Sequence, residues 1–104
     1  MIKVAVVDGQ GGGIGSLIVK RLREMFGEEI EIYAFGTNST ATAAMMKARA
    51  NKGATGENAI IKNITKMDII VGPLSIVLAN AMLGELTPKM AEAIASADAR
   101  KLLL

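Results

Sequence analysis

The stretch Asp8-Gly9-Gln10-Gly11-Gly12-Gly13-Ile14-Gly15 decides the fold of this 104-residue chain. The run before it, residues 2–7, is apolar and rich in β-branched side chains, which is typical of a buried strand. In residues 16–26, apolar side chains recur at helical spacing with charged ones between them. A strand, a glycine-rich turn and a helix in this order predict the first unit of a parallel α/β sheet.

The rest of the chain continues the same alternation. Patterning predicts strands over residues 30–35, 68–72 and 101–104, and helices over residues 41–50, 59–67, 73–83 and 88–99. A strand over residues 59–64 is the alternative to the second of these helices. Right-handed crossovers then give a parallel sheet of about four strands in the order 2-1-3-4. We therefore expect a single domain over residues 1–104, a Rossmann-like three-layer α/β sandwich with helices on both faces.

Composition and charge exclude several classes of function. Twelve basic residues against ten acidic ones give a net charge of +2, too balanced to predict nucleic-acid binding. The basic group Lys47, Arg49 and Lys52 is interpreted as a solvated helix face. The absence of cysteine and histidine removes disulfides, thiol nucleophiles and the commonest metal ligand and general base, so no metal site is predicted. With no signal peptide and no bilayer-length apolar run, we expect a cytoplasmic protein without membrane contact.

The glycine-rich loop is the candidate ligand site. Backbone amides at a helix N-terminus are unpaired and attract phosphate, and glycine removes the Cβ that blocks close approach. We therefore expect the loop from Asp8 to Gly15 to bind a small phosphate-bearing ligand, through Asp8, Gly9, Gln10, Gly11, Gly12, Gly13, Ile14 and Gly15. The alternative is a turn that needs glycine only for tight strand–helix packing.

Two further loops are expected beside the first, because ligands bind at the carboxyl ends of parallel strands, where the strand order reverses. They contribute Thr37, Asn38 and Ser39 after the second strand, and Gly72 and Pro73 after the third. The first three side chains suit either a ribose or phosphate or the capping of a helix. No acidic residue follows the second strand, which disfavours a simple preference for NAD.

Among the acidic residues, Asp8 lies nearest the glycines. It suits contact with a ligand or, as the slightly favoured interpretation, capping of the turn. Glu57 and Glu85 are further candidates, for which solvated or capping roles are favoured. Asn80 interrupts the apolar run of residues 76–83, where a packed structural amide is favoured over a ligand contact.

The spacing Gly9-x-x-x-Gly13-x-Gly15 resembles the glycine motif of short-chain dehydrogenases. That resemblance stops at the first loop, because those enzymes use a Tyr-x-x-x-Lys pair and the single tyrosine here, Tyr33, lies in the second predicted strand. Their chemistry is therefore not expected of this chain.

Nearly the whole chain resembles a family of small bacterial proteins classed only as a domain of unknown function. The resemblance lies in residues 6–15, 36–39, 41–43, 53–59, 70–73 and 82–88. It implies a Rossmann-like fold and brings no activity. Members of that family usually continue beyond this length, so we expect a C-terminally truncated form that lacks a final strand region.

These observations favour a nucleotide- or dinucleotide-binding module without chemistry of its own, with NAD(P) or another nucleotide as the ligand. Two alternatives stay open. One is a small enzyme that uses NAD(P) or a phosphorylated substrate, with Asp8, Glu57 or a lysine as the acting group. The other is a structural or interaction protein whose loop binds nothing. The apolar character of residues 75–83 on nearly every side of a helix also predicts a homodimer.

Overall fold

The computed structural model describes residues 1–104 and contains one sheet of five parallel strands in the order β3-β2-β1-β4-β5. The strands are β1 (Ile2–Asp8), β2 (Ile30–Gly36), β3 (Lys52–Thr55), β4 (Ile69–Gly72) and β5 (Arg100–Leu103). The helices are α1 (Gly13–Phe26), α2 (Ser39–Lys47), α3 (Glu57–Ile64) and α4 (Pro88–Ser96), with a 3-10 helix at Leu74–Val77.

Helices cover both faces of the sheet, which confirms the three-layer Rossmann-like sandwich. Alternation along β1 sends Val4 and Val6 to the core under α1 and α2, and Ala5 and Val7 to the core under α3 and α4. The carboxyl ends of all five parallel strands lie at the same edge of the sheet, so the loops that follow the strands lie together at that edge.

The sheet has one strand more than the sequence predicts. Strand β3 lies at the edge and pairs only with Tyr33–Gly36 of β2, whereas the order of the four predicted strands is correct. Its four residues include Lys52 and Gly53, which are depleted in strands, and three of the four are exposed. This edge strand has no hydrophobic alternation, and its position is set by backbone pairing with β2 and by side-chain contacts such as Thr55 with Thr42 and Ala54 with the core.

The predicted helix over residues 73–83 is wrong. After the 3-10 helix, residues 78–86 form a folded turn, which we call the strap. Asn80, Met82 and Leu83 adopt left-handed backbone conformations, with φ of 69°, 58° and 56°. Ile76, just before the strap, and Leu86, at its end, are both buried in the core. The apolar pattern of this segment therefore comes from two buried anchor residues and not from one continuous helix.

The strap also changes the interpretation of Asn80. Its side chain is exposed in a left-handed turn, and its backbone N–H donates to the carbonyl oxygen of Leu86 at 2.8 Å. Asparagine tolerates this conformation better than most residues. The prediction of a packed structural amide inside a helix is therefore wrong.

The remaining helices agree with the sequence apart from their ends. Residues 57–64 are helical, which confirms that assignment over the alternative strand. Thr87 accepts a hydrogen bond from the Met90 N–H at 3.1 Å, and Pro88 occupies the first turn of α4. Helix α1 begins at Gly13, three residues before the predicted start, so two of the loop glycines belong to its first turn. None of the helices combines the length and apolarity needed to cross a bilayer.

Candidate functional site

Asp8 holds the glycine loop in its folded form. Its side chain is 5% exposed; Oδ1 accepts the Gly9 N–H at 2.8 Å and Oδ2 accepts the Gly15 N–H at 2.6 Å. Both carboxylate oxygens are therefore bonded to the turn that Asp8 closes. This arrangement matches the capping interpretation of Asp8 and leaves neither oxygen free of the loop.

Three of the five glycines in the loop are required by packing: Gly9, which contacts the strap, and Gly12 and Gly15, which contact α2 and Asp8. Gly12 has φ +74°, and a Cβ there would lie 2.8 Å from the Ala41 Cα of α2. A Cβ on Gly15 would lie 2.7 Å from the Met45 Sδ and 2.8 Å from the Asp8 Cβ. These distances are far below van der Waals contact, so any larger residue at either position forces the helices or the loop to move.

Gly11 and Gly13 have no such requirement. A Cβ on either residue would meet nothing within 4 Å, and neither backbone is left-handed. The N–H groups of Gly11, Gly13 and Ile14 have no acceptor in the protein. Helix α1 has neither a side-chain cap nor an acidic residue in its first turn. The loop therefore presents three free donors at a helix N-terminus, with bare backbone on both sides.

The loop after β2 is joined to the glycine loop. Asn38 caps α2 through Oδ1, which accepts the Ala41 N–H at 2.8 Å, and its Nδ2 donates to the Gln10 carbonyl at 2.9 Å. The Thr37 N–H donates to the Asp8 carbonyl at 3.0 Å. Thr37 and Asn38 thus lie at the predicted site, and Asn38 is also a helix cap. Ser39 is the exposed first residue of α2 and donates no hydrogen bond to the loop.

Gly72 and Pro73 lie at the same edge of the sheet but do not bond to the glycine loop. A Cβ on Gly72 would lie 2.5 Å from the Val7 carbonyl oxygen, so glycine is needed there for close packing of β4 against β1. Pro73 is buried and precedes the 3-10 helix. The Gly72 carbonyl accepts the Leu104 N–H at 2.9 Å, as part of the β4–β5 pairing.

Glu85, on the strap, contacts both the glycine loop and the loop after β2. Its Oε1 accepts three hydrogen bonds: from the Gln10 N–H at 2.8 Å, the Thr37 hydroxyl at 2.7 Å and the Asn38 Nδ2 at 2.8 Å. These bonds, that from Gln10 foremost, hold the pKa of Glu85 below its usual range. The favoured sequence interpretation, a solvated or capping side chain, misses this contact with two loops.

A signal for Glu85 was present in the sequence. It is the first acidic residue after Asp68, and so the only acid in the loop after β4. That loop begins at the sheet edge where the glycine loop also lies. The sequence did not predict the folded turn of the strap, which brings Glu85 to the glycine loop.

The strap fills the space between the glycine loop and the end of β2. A Cβ on Gly9 would lie 2.5 Å from the Met82 Sδ and 3.1 Å from the Glu85 Oε1, and it would also clash with the Thr37 hydroxyl. Nucleotide-binding sheets of this kind place the ribose near the end of the second strand. In this conformation, that region contains the protein's own side chains.

A basic groove of about 720 Å³ lies between α1 and α2 and begins at Ser16, in the first turns of α1. Its cations include Arg23, whose guanidinium donates to the carbonyls of Arg49 and Gly27 at 2.8 Å each and is thus committed to the fold. Lys20, Lys47 and Arg49 provide the remaining positive charge. The lining consists of Ser16, Leu17, Lys20, Arg23, Glu24, Ala44, Lys47, Ala48 and Arg49.

Glu57 lies away from these loops. Its Oε1 accepts the Thr87 hydroxyl at 2.6 Å and so ties the start of α3 to the start of α4. No three acidic, histidine or cysteine side chains come together as a set of metal ligands.

Comparison with known families shows that the chain belongs to the family described as a domain of unknown function (DUF3842), which matches residues 3–104. This confirms the family resemblance seen in the sequence. No curated protein and no solved structure matches the chain.

Proposed function

We propose that this member of the DUF3842 family is a binding module for a small phosphate-bearing ligand of the nucleotide class, NAD(P) among the candidates, and that the ligand's phosphate binds the free amides of Gly11, Gly13 and Ile14. The observation that carries the proposal is that Gly11 and Gly13 lack a Cβ although nothing in the protein occupies the place of one.

The five loop glycines fall into two groups. Packing explains Gly9, Gly12 and Gly15, whereas it does not explain Gly11 and Gly13. At a position whose backbone alanine can also adopt, glycine costs about 0.4–1 kcal/mol relative to alanine, and Gly13, the first residue of α1, is such a position. Bare backbone beside unpaired amides is what a phosphate oxygen needs in order to approach the helix N-terminus.

Electrostatics supports the same proposal. The N-terminus of the 14-residue helix α1 carries partial positive charge, and no acidic side chain in its first turn neutralises it. Lys20 and Lys47 line the groove that begins nearby. Together they attract an anion toward the loop without a basic side chain in the loop itself.

The fit to a dinucleotide is partial. The free amides suit one phosphate, but Met82 and Glu85 fill the space toward the end of β2. A ligand bound to this conformation therefore extends away from β2, or the strap moves. The occupied oxygens of Asp8 also favour binding over catalysis, because its carboxylate is committed to the turn.

The test is calorimetric titration of wild type, Gly13→Val and Ser16→Ala with NAD, NADP, ATP, FMN and orthophosphate. Gly13→Val places a side chain in the space that the phosphate needs, and we expect about tenfold or greater loss of affinity, or about 1.4 kcal/mol. Ser16→Ala is the matched control, because its hydroxyl donates only to the Gly13 carbonyl, at 3.1 Å. If folded wild type binds none of these compounds, or folded Gly13→Val binds as well, the loop is only a turn.

Self-association is a separate proposal. The helix over residues 75–83 on which it was predicted is absent, although Leu78 and Leu83 of that segment are exposed. Leu17, Met25, Leu102 and Leu104 are each half or more exposed on the α1 side of the sheet. Strand β5 also leaves one backbone edge unpaired. An apolar patch beside a free strand edge supports a homodimer formed at this surface.

A further inference from the structure

Three hydrogen-bond donors converge on a single oxygen atom at the sheet edge. The Gln10 N–H, the Thr37 hydroxyl and the Asn38 amide all donate to Oε1 of Glu85, at 2.8, 2.7 and 2.8 Å. The other carboxylate oxygen accepts no hydrogen bond from the protein. The donors come from the glycine loop and the loop after β2, whereas the carboxylate that they bind, that of Glu85, comes from the strap. These three donors therefore already form a site for one anionic oxygen.

We propose that these donors are a second anionic subsite of the ligand site, filled by Glu85 in the free protein and taken over by the second phosphate of a pyrophosphate-containing ligand. This inference rests on the proposed function, because Gly11 is the next residue after Gln10 and its free amide belongs to the first subsite. A ligand with one phosphate uses the free amides and leaves Glu85 in place. A ligand with two linked phosphates reaches both subsites and displaces Glu85.

The middle of the strap, between its two buried ends, is the part that would open. It holds three non-glycine residues in left-handed conformations, which are disfavoured for side chains with a Cβ. Leu83, near its tip, is fully exposed. Its ends are fixed by Ile76 before it and Leu86 within it, both fully buried. Between these anchors, the strap is held by the bonds of Glu85 to the loops, by Met82 against Gly9, and by packing of Ala81 and Met82 on the core.

The Glu85 carboxylate and the second phosphate of the ligand compete for the same three donors, because both are anions. A carboxylate and a phosphate cannot share one set of donors, so pyrophosphate binds both subsites only in the fraction of molecules whose strap is open. The apparent dissociation constant is then raised by the reciprocal of that fraction. Removing the carboxylate takes away the competing anion. The affinity for pyrophosphate should therefore rise more than the affinity for orthophosphate, because a single phosphate cannot span both subsites.

The experiment is calorimetric titration of wild type, Glu85→Ala and Glu85→Gln with pyrophosphate and with orthophosphate. We expect Glu85→Ala to bind pyrophosphate about tenfold more tightly than wild type, and its gain for orthophosphate to be clearly smaller. Glu85→Gln removes the charge but keeps an acceptor for the three donors, so its gain should be smaller. Glu92→Ala, which removes an exposed carboxylate from α4, is the control for net charge.

Hydrogen exchange supplies a second measurement, which needs no variant. Saturating pyrophosphate should speed exchange of the strap amides of Asn80 and Gly84, which donate within the strap, and orthophosphate should not. If the variants bind orthophosphate but gain nothing for pyrophosphate, Glu85 is a structural clamp and the second subsite is overturned alone. If no form of the protein binds either anion, the proposed function is overturned with it.

Discussion

Gly13→Ala tests the central claim that this glycine has no structural role. The substitution adds one methyl group at the first residue of α1, where nothing lies within 4 Å and the backbone is not left-handed. Alanine restricts the unfolded chain more than glycine does and favours the helix. We expect the free energy of unfolding to rise by about 0.5–1 kcal/mol.

Gly15→Ala is the matched substitution two residues further on. Its methyl would lie 2.7 Å from the Met45 Sδ and 2.8 Å from the Asp8 Cβ, and both of those side chains are buried. Relief requires displacement of the core or loss of the hydrogen bond from the Gly15 N–H to Asp8. Overpacking of this kind costs about 1–3 kcal/mol.

Thermal unfolding monitored by circular dichroism separates the two variants. For a domain of this size, 1 kcal/mol corresponds to about 4–8 °C in Tm. Gly13→Ala should therefore melt about 2–8 °C above wild type, and Gly15→Ala about 4 °C or more below it. Gly13→Ala should also bind phosphate more weakly, because its methyl stands at the free amides. Higher stability with weaker binding is the expected signature of a glycine retained for a ligand.

Two results would refute this reasoning. A Gly13→Ala protein less stable than wild type means that the glycine is needed by the fold, and the observation behind the proposed function is lost. A Gly15→Ala protein as stable as wild type means that close approach to Asp8 and Met45 does not explain the loop glycines. Urea denaturation should reproduce the order of stabilities, since neither change alters the surface exposed on unfolding.

Three further predictions concern Asp8, Glu85 and the exposed apolar surface. Asp8→Asn replaces one accepting oxygen by a donor and leaves a buried N–H of Gly9 or Gly15 unpaired. Urea denaturation should therefore show that the free energy of unfolding falls by about 2–3 kcal/mol. An unchanged denaturation midpoint contradicts the capping role of Asp8. Because hydrogen bonds lower the pKa of folded Glu85 below its unpaired value of 4.5, its contribution to stability is present above that pH and lost as pH falls through the folded pKa. The difference in stability between wild type and Glu85→Gln should therefore be constant near neutrality and shrink below about pH 4.5, and a difference that grows on acidification has the wrong sign. Light scattering at micromolar concentration should give a dimer for wild type and a monomer for Leu102→Lys, whereas a wild-type mass of 10.9 kDa rules out the dimer.

Most of the architecture was predictable because its signals are local. The strand–glycine–helix order around Asp8 to Gly15 and the cap at Thr87 each involve neighbours in sequence. Burial on both faces makes β1 a continuous apolar run, which the sequence displays directly. The order of the four predicted strands then followed from the right-handedness of crossovers.

The strand β3 and the strap were not predictable because nothing local specifies them. Strand β3 exists through pairing of Lys52–Thr55 with β2, and a short exposed edge strand needs no hydrophobic pattern. The strap carries an apolar pattern that imitates a helix, since Ile76 and Leu86 both reach the core. Its left-handed turns at Met82 and Leu83 fall on residues that rarely adopt them, so local preference pointed the other way.

By itself, the sequence determined a parallel α/β sheet with a glycine-rich turn before α1, because hydrophobic periodicity and glycine act over a few residues. Only the tertiary structure decided which glycines are structural, since Gly9, Gly12 and Gly15 face other elements, whereas Gly11 and Gly13 face open space. It also brought Glu85 onto donors that lie 75, 48 and 47 residues away along the chain. Contacts at such separations depend on how every intervening element packs, and no local pattern encodes them.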